Sequence, residues 1–348
     1  MTVRRGALIG CGFFARNHMN GWAEVEGAEI VAVCDRDFAK AERMQADFKV
    51  SHAYADAEEM LRAEKLDFVD VVTTSPFHRP LVELAARHGV AAICQKPFAD
   101  SQADAEAMVS ACEKAGVPLA VHENFRWQQP FIEIADRVAK GRIGKPTFAR
   151  ISFRHGFDYY KNQPYLAEVE RLSLMDIGLH LYDLARHLLG EVETLSCLTQ
   201  RVNPIVRGED AFTSLLGHTG GAVSVVECSA FAKYEPDPFP QTTAVVEGTE
   251  GTLELTRGYR LFEHHPGSVT ETDVDVAVPA WGEKPWQVVQ QSVVAFERHF
   301  IDVLNGKSAA QPSGAHNLGT MALALASYES AATGSTIRMK DWREGGRG

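Results

Sequence analysis

Several things are scarce in this chain, and each shortage closes off a class of function. Basic charge is one: 35 Lys and Arg stand against 46 Asp and Glu, a formal net charge of −11. That balance leaves no electrostatic footprint for nucleic acid or for an anionic membrane. Apolar runs of membrane-spanning length are missing, and Arg4-Arg5 leads into a strand, with no signal peptide and cleavage site. A cytoplasmic protein is expected. The six cysteines (Cys11, Cys34, Cys94, Cys112, Cys197, Cys228) are scattered, with no Cys-x-x-Cys pair. They predict reduced thiols buried as small hydrophobes. The His264-His265 pair has no acid or cysteine at ligand spacing, and no metal is expected. Internal repeats and low-complexity tracts are also lacking. What remains is a chain of 348 residues, 45% apolar, long enough for two ordinary domains and suited to a small-molecule partner.

The most informative segment is Gly6-Ala-Leu-Ile-Gly10-Cys-Gly12-Phe13-Phe14-Ala15. It reads as a buried strand, a tight turn and a helix. Gly10 permits the turn, Gly12 permits close approach to a pyrophosphate, and small Ala15 lets helix and strand pack. The helix N-terminus offers free N–H groups and partial positive charge to the phosphates. A second apolar strand, Glu29 to Cys34, ends at Asp35, at the spacing expected of a carboxylate on the adenosine ribose hydroxyls. Asp35 would repel a 2′-phosphate, which favours NAD, although Arg36 beside it partly offsets that repulsion.

Strand and helix signals then alternate: strand 68–73, helix 78–88, strand 91–94, helix 101–115 and strand 118–122, with Gly89 and Gly116 at helix ends. This predicts a doubly wound parallel sheet over residues 1–124. After one more helix (131–141) come long β-type runs at 146–157, 194–201, 211–218, 222–230, 242–248 and 251–255, then helices 286–305 and 315–333. They predict an α+β domain over residues 125–348, built on a large, mostly antiparallel open sheet. An open face with alternating apolar positions implies a homodimer or homotetramer. A proline-rich loop, Tyr234 to Pro240, interrupts the strands.

Four segments carry candidate chemistry. In Asp176-Ile-Gly178-Leu-His180, expected to open a helix after an irregular stretch that begins at Asn162, the acid and the imidazole are four residues apart and share a helix face. His180 is a candidate proton acceptor, and Asp176 a group that holds the substrate or orients the ring. The alternative is an acid complementing the helix dipole, with a satisfied core histidine. Gln95-Lys96-Pro97 follows a buried strand at its carboxyl end, where open α/β sheets bind ligands, and a cis bond before Pro97 fits the turn. Lys96 can bond the reacting oxygen or stand as an ordinary surface lysine. Thr73-Thr74-Ser75-Pro-Phe-His78 lies at another strand end and offers hydroxyls to the cofactor, or is simply a polar loop. Asn124-Phe-Arg126, at the seam of the two regions, brings a guanidinium that suits carboxylate or phosphate. Arg154 and Arg171 are further candidates for clamping a substrate carboxylate.

Taken jointly, these pieces resemble the Gfo/Idh/MocA family of nicotinamide-dependent oxidoreductases. Gly10, Gly12, Ala15 and Asp35 match its cofactor site, Gln95-Lys96-Pro97 its Glu-Lys-Pro motif, Asn124 and Arg126 its Asn-x-Arg segment, and Asp176, Gly178 and His180 its Asp-x-Gly-x-His helix. The resemblance implies a Rossmann domain joined to a substrate domain. It also implies NAD-dependent oxidation of a sugar or sugar acid, with Lys96, Asp176 and His180 catalytic. The chain departs from the pattern at Gln95, at Thr73-Thr74-Ser75, and at Glu170 to Met175, whose bulk and charge favour Arg171 as a carboxylate binder. These departures resemble the branch containing apionate oxidoisomerases, which implies oxidation of a branched sugar acid followed by carbon migration. Other readings are a different sugar or inositol dehydrogenase, an NAD-using glycosidase, and a dinucleotide-binding sensor.

Overall fold

The computed structural model describes residues 3–161 and 163–344, so Asn162 lies outside the described residues. Two units divide the chain: residues 1–124 with 290–318, and 125–289 with 319–348.

In the first unit, β1 (Arg4–Ile9), α1 (Ala15–Glu24), β2 (Ala28–Cys34), α2 (Phe38–Phe48), β3 (His52–Tyr54), α3 (Ala57–Ala63), β4 (Phe68–Val71), α4 (His78–Arg87), β5 (Ala91–Cys94), α5 (Gln102–Ala115) and β6 (Leu119–Val121) alternate. The six strands are parallel in the order β3-β2-β1-β4-β5-β6, the doubly wound Rossmann arrangement. Helices cover both faces, which is why the strand centres read as apolar runs, interrupted in β4 by Asp70: Leu8, Val33, Val69, Val71 and Ile93 are all fully buried. Local chemistry sets the helix ends. Asp56 accepts the Glu59 N–H at the start of α3, Ser101 accepts the Asp104 N–H at the start of α5, and Gly116 closes α5 with φ 67°.

The second unit holds α6 (Gln129–Ala139), β7 (Pro146–Arg154), α7 (Leu179–Leu189), β8 (Val192–Gln200), β9 (Ala211–His218), β10 (Val223–Ser229), β11 (Thr243–Gly248), β12 (Thr252–Thr256), β13 (Arg260–His265), β14 (Ser268–Asp273) and β15 (Ile337–Arg338). They form a nine-stranded sheet, β14-β13-β12-β11-β7-β10-β9-β8-β15, antiparallel except where β10 pairs with β7. The sequence signals did not reveal β13, β14 or β15.

Helices α8 (Gln287–Leu304) and α9 (Gly314–Thr333) lie between β14 and β15 in the chain. Residues 290–318 return to the first unit, where Phe300 packs edge-on to Phe68 at 5.8 Å and Phe296 to His122 at 4.7 Å. All six cysteines are buried and free, and burial pushes the Cys11 and Cys34 thiols up to about 12. Among the described residues, no helix is long and apolar enough to cross a membrane.

Candidate functional site

At the carboxyl end of β1 the chain turns at Gly10, whose φ is 98° and whose missing Cβ would lie 2.5 Å from the Val72 carbonyl oxygen. Any side chain there collides with the backbone. Gly12 is the reverse case: a Cβ on it would meet nothing within 4 Å, leaving the turn open to a ligand. Phe13 is 69% exposed, Ala15 is fully buried, and Phe14 leads into α1. No side chain caps that helix and no acid occupies its first turn. Its N-terminal N–H groups are left for an anion, so this turn fits the pyrophosphate of a dinucleotide.

Asp35 stands across the turn. Its Oδ2 accepts the Cys11 N–H and its Oδ1 the Asp37 N–H, each at 2.8 Å. A carboxylate has about four acceptor positions, so two remain for ribose hydroxyls. The Arg36 guanidinium lies 5.0 Å over the Phe77 ring.

At the end of β5 the Lys96–Pro97 peptide is cis, and Gln95 Oε1 accepts the Lys96 N–H at 2.7 Å. The neighbouring loop is braced from within. Ser75 donates to Asp100, and the fully buried His78 ring bridges the Thr73 carbonyl at 3.0 Å and the Phe98 carbonyl at 3.2 Å. Burial lowers the His78 pKa, so the neutral ring donates to one carbonyl at a time. His78 therefore ties two loops together and presents no surface to a cofactor. Asn124, expected to touch the cofactor, is 4% exposed and donates to Ser292 at 2.8 Å.

In the second unit, α7 is preceded by a π turn, Leu174–Gly178, that holds Asp176. Glu209 secures its start by accepting the Leu174 N–H at 2.9 Å and the Leu172 N–H at 3.3 Å, while Tyr328 donates to the same carboxylate at 2.8 Å. The expected α-helical start is thus wound wider, and simple i,i+4 spacing does not describe Asp176 and His180. His180 is 3% exposed, its ring stacked on Phe125. The negative charge of Asp176 reaches His155, Tyr159, Tyr160 and Cys228. Burial lowers His155 to about 4 and raises Tyr159. The sequence reading passed over His155 and Tyr159; the aromatic-rich run from Phe153 to Tyr160 was the available signal.

The three arginines proposed for carboxylates all have other engagements. Arg126 is 5% exposed and grips Asp183 of α7 in a fork, with Nε to Oδ2 at 2.6 Å and Nη2 to Oδ1 at 2.5 Å. Arg154 lies 3.7 Å from Glu227, which Arg150 also meets at 2.7 Å. Arg171 is exposed, its guanidinium 5.4 Å over the Tyr328 ring.

Residues 4–123 match the family profile described as "Oxidoreductase family, NAD-binding Rossmann fold", and residues 131–254 match "GFO/IDH/MocA C-terminal domain". The chain is 50% identical over 342 residues to D-apiose dehydrogenase of Paraburkholderia graminis, covering 97% of this chain and 91% of that one. It is 48% identical over 337 residues to D-apiose dehydrogenase of Rhizobium rhizogenes, covering 97% and 98%. A crystal structure of an oxidoreductase from Agrobacterium radiobacter in complex with NAD+, L-tartaric acid and magnesium superposes with a TM-score of 0.95 at 47% identity, covering 97% of this chain and 99% of that one. With an NAD-binding Rossmann domain followed by the matching C-terminal domain, this chain belongs to the Gfo/Idh/MocA family of oxidoreductases.

Proposed function

We propose that this protein is an NAD-dependent dehydrogenase that oxidises a CH–OH group of a neutral branched sugar of the D-apiose kind. The observation that carries the neutral reading is that two of the three arginines are already paired with acids: Arg126 is forked onto Asp183 and Arg154 lies beside Glu227, while Arg171 is exposed and meets only the Tyr328 ring. A carboxylate substrate needs a cation free to meet it. The names of the two relatives at 50% and 48% identity support the same class.

When bound, NAD supplies the hydride acceptor. The oxidised carbon loses a hydride and its oxygen loses a proton, so the protein must accept one proton and stabilise the developing negative oxygen. His180 takes the proton. Lys96 places its ammonium charge against the oxygen, and Asp176 hydrogen-bonds a neighbouring hydroxyl. Asp35 binds the adenosine ribose diol. His180→Ala and Lys96→Ala should each lose at least about 100-fold in kcat, as removal of a general base or a charge-stabilising donor does, while still binding NAD.

A second reading is oxidation of a sugar acid, with the carbon migration of an apionate oxidoisomerase. It draws on L-tartaric acid, a hydroxy acid, bound to the A. radiobacter oxidoreductase. The deciding experiment offers D-apiose, D-apionate, other aldoses and inositols with NAD, follows reduced nicotinamide by absorbance and identifies products by NMR. D-Apiose as the best substrate supports the neutral reading; apionate as the best overturns it in favour of the second.

The same proposal takes the protein to be a homo-oligomer through the open face of the nine-stranded sheet, where Leu198, Leu215 and Val223 are 70%, 53% and 38% exposed. Light scattering that returns a 38.2 kDa particle would remove that part.

A further inference from the structure

Behind Lys96 the first unit contains a buried polar series. The Lys96 N–H donates to Gln95 Oε1 at 2.7 Å. A backbone amide is only a donor, so this bond fixes which end of the Gln95 amide is oxygen. The Gln95 NH2 group then faces His18 Nε2 at 3.1 Å, and Nε2 must be the acceptor. A neutral imidazole accepting at Nε2 carries its proton on Nδ1. Nδ1 lies 2.8 Å from Asp70 Oδ2, which also accepts the Trp22 indole N–H at 2.8 Å. His18 and Asp70 are fully buried.

Glu297 completes the surroundings. It is fully buried, its Oε1 lies 3.8 Å from His18 Nδ1, and neither of its oxygens has a hydrogen-bond partner. Its carboxylate lies over Gly21, where a Cβ would stand 2.3 Å from Glu297 Oε2 and shift it. Burial, reinforced by Asp70, pushes its carboxyl well above the usual range, and with Asp70 Oδ2 at 2.8 Å against Glu297 Oε1 at 3.8 Å it is Asp70 that accepts the His18 Nδ1–H. The ligand atoms of His18, Asp70 and Glu297 lie within 4.8 Å of one another, close enough for a metal. Asp70 Oδ2 already holds two N–H donors, while its Oδ1 and both Glu297 oxygens hold none, so a hydrogen-bond network and a bound metal are distinguished by the test below.

We propose that His18 and Asp70 are positioning residues for Lys96: Asp70 locks the His18 tautomer, His18 orients the Gln95 amide, and Gln95 fixes the backbone from which the lysine projects. This rests on the role given to Lys96 above. It also gives the glutamine at position 95 a physical reason, because a glutamate there could hold the Lys96 N–H but would set a carboxylate oxygen against the lone pair of His18.

The test uses the full-length protein with NAD and the sugar that gives turnover. His18→Phe should lower kcat on the order of 10-fold, less than the ~100-fold cost of a 1 Å misplacement, and leave KM for NAD within about 3-fold. Gln95→Glu, which replaces the NH2 donor to His18 Nε2 by a carboxylate oxygen, should lower kcat on the order of 10-fold and likewise leave KM for NAD within about 3-fold. The titratable groups facing His18 are Asp70 from β4, Glu297 from α8 and His122 after β6, whose ring centroid is 4.3 Å away. Asp70→Asn, which keeps an oxygen acceptor, should retain more kcat than Asp70→Leu. Ring nitrogen NMR of the wild type should find the His18 proton on Nδ1. A wild-type kcat for Gln95→Glu, a proton on Nε2, or a stoichiometric metal in the purified protein would each overturn the proposal. Full activity of Lys96→Ala would instead overturn the role of the lysine itself.

Discussion

Phe125 lies flat against His180: their ring centroids are 4.1 Å apart and their planes differ by 3°. The two residues sit on different segments of the second unit, so the phenyl ring restricts imidazole rotation in a way that a helix alone cannot. Stacked pairs contribute about 0.5–1.5 kcal/mol beyond burial. If His180 is the proton acceptor, Phe125→Leu keeps the bulk, frees the ring and should lower kcat roughly 3- to 10-fold. Steady-state kinetics with NAD binding measured alongside checks this, and an unchanged kcat would show that the stack only packs.

Arg126 and Asp183 form the most deeply buried ion pair considered above, with side chains 5% and 1% exposed. Asp183→Ala leaves a guanidinium in the interior without its partner and should cost about 3–5 kcal/mol in urea unfolding. Changing both residues, Arg126→Met with Asp183→Leu, removes the charges together and should cost less than Asp183→Ala alone.

His155 predicts an acid sensitivity. Burial sets its imidazole at about 4, against an ordinary value of 6.5. Between these values the unfolded chain binds more protons, so the contribution to stability is complete above the ordinary value and is lost as pH falls toward the folded one. It amounts to roughly 3 kcal/mol at neutral pH. Phe153, Tyr159 and Phe239 surround the ring with centroids 5.1, 5.6 and 4.6 Å away, so His155→Phe fits this cluster. It should shrink the difference in Tm between about pH 7.5 and pH 5; an unchanged difference would assign the acid sensitivity to other groups.

On the proposed reading, Asp35 sets the cofactor preference. A 2′-phosphate brought to its carboxylate is a like-charge juxtaposition costing several kcal/mol. Asp35→Ser should therefore raise kcat/KM for NADP relative to NAD by about 10-fold or more. The same change removes acceptors from the Cys11 and Asp37 N–H groups, so both absolute values should fall while the ratio moves.

Legibility in the sequence followed the range of the forces involved. The parallel sheet was readable because β1, β2, β4 and β5 are buried on both faces and their apolar runs require no partner to be recognised. The glycine turn and Asp35 were readable for a similar reason, since Gly10 is demanded by its own φ of 98°. β14 was not, because five of its six residues are exposed and it shows no alternation. Nor was the π turn, whose winding depends on Glu209, a residue distant in sequence. The arginines illustrate the limit best: Arg126 is 57 positions from Asp183, and nothing local distinguishes a guanidinium awaiting a ligand from one already paired. His78, expected at a strand end, and Asn124, expected at the seam of the two regions, are turned inward, because a buried polar group must take the partner nearest to hand.

The return of residues 290–318 to the first unit has a consequence for how the protein is made. Phe68 and His122 are covered by Phe300 and Phe296, and a ribosome delivers those two rings only after it has produced the whole of 125–289. A nascent chain released at Asn124 exposes the apolar surface that α8 would cover, and a fragment cut there should aggregate or recruit chaperones where the full chain does not. The dinucleotide fold begins at β1, yet α8, which emerges after β14, completes its core.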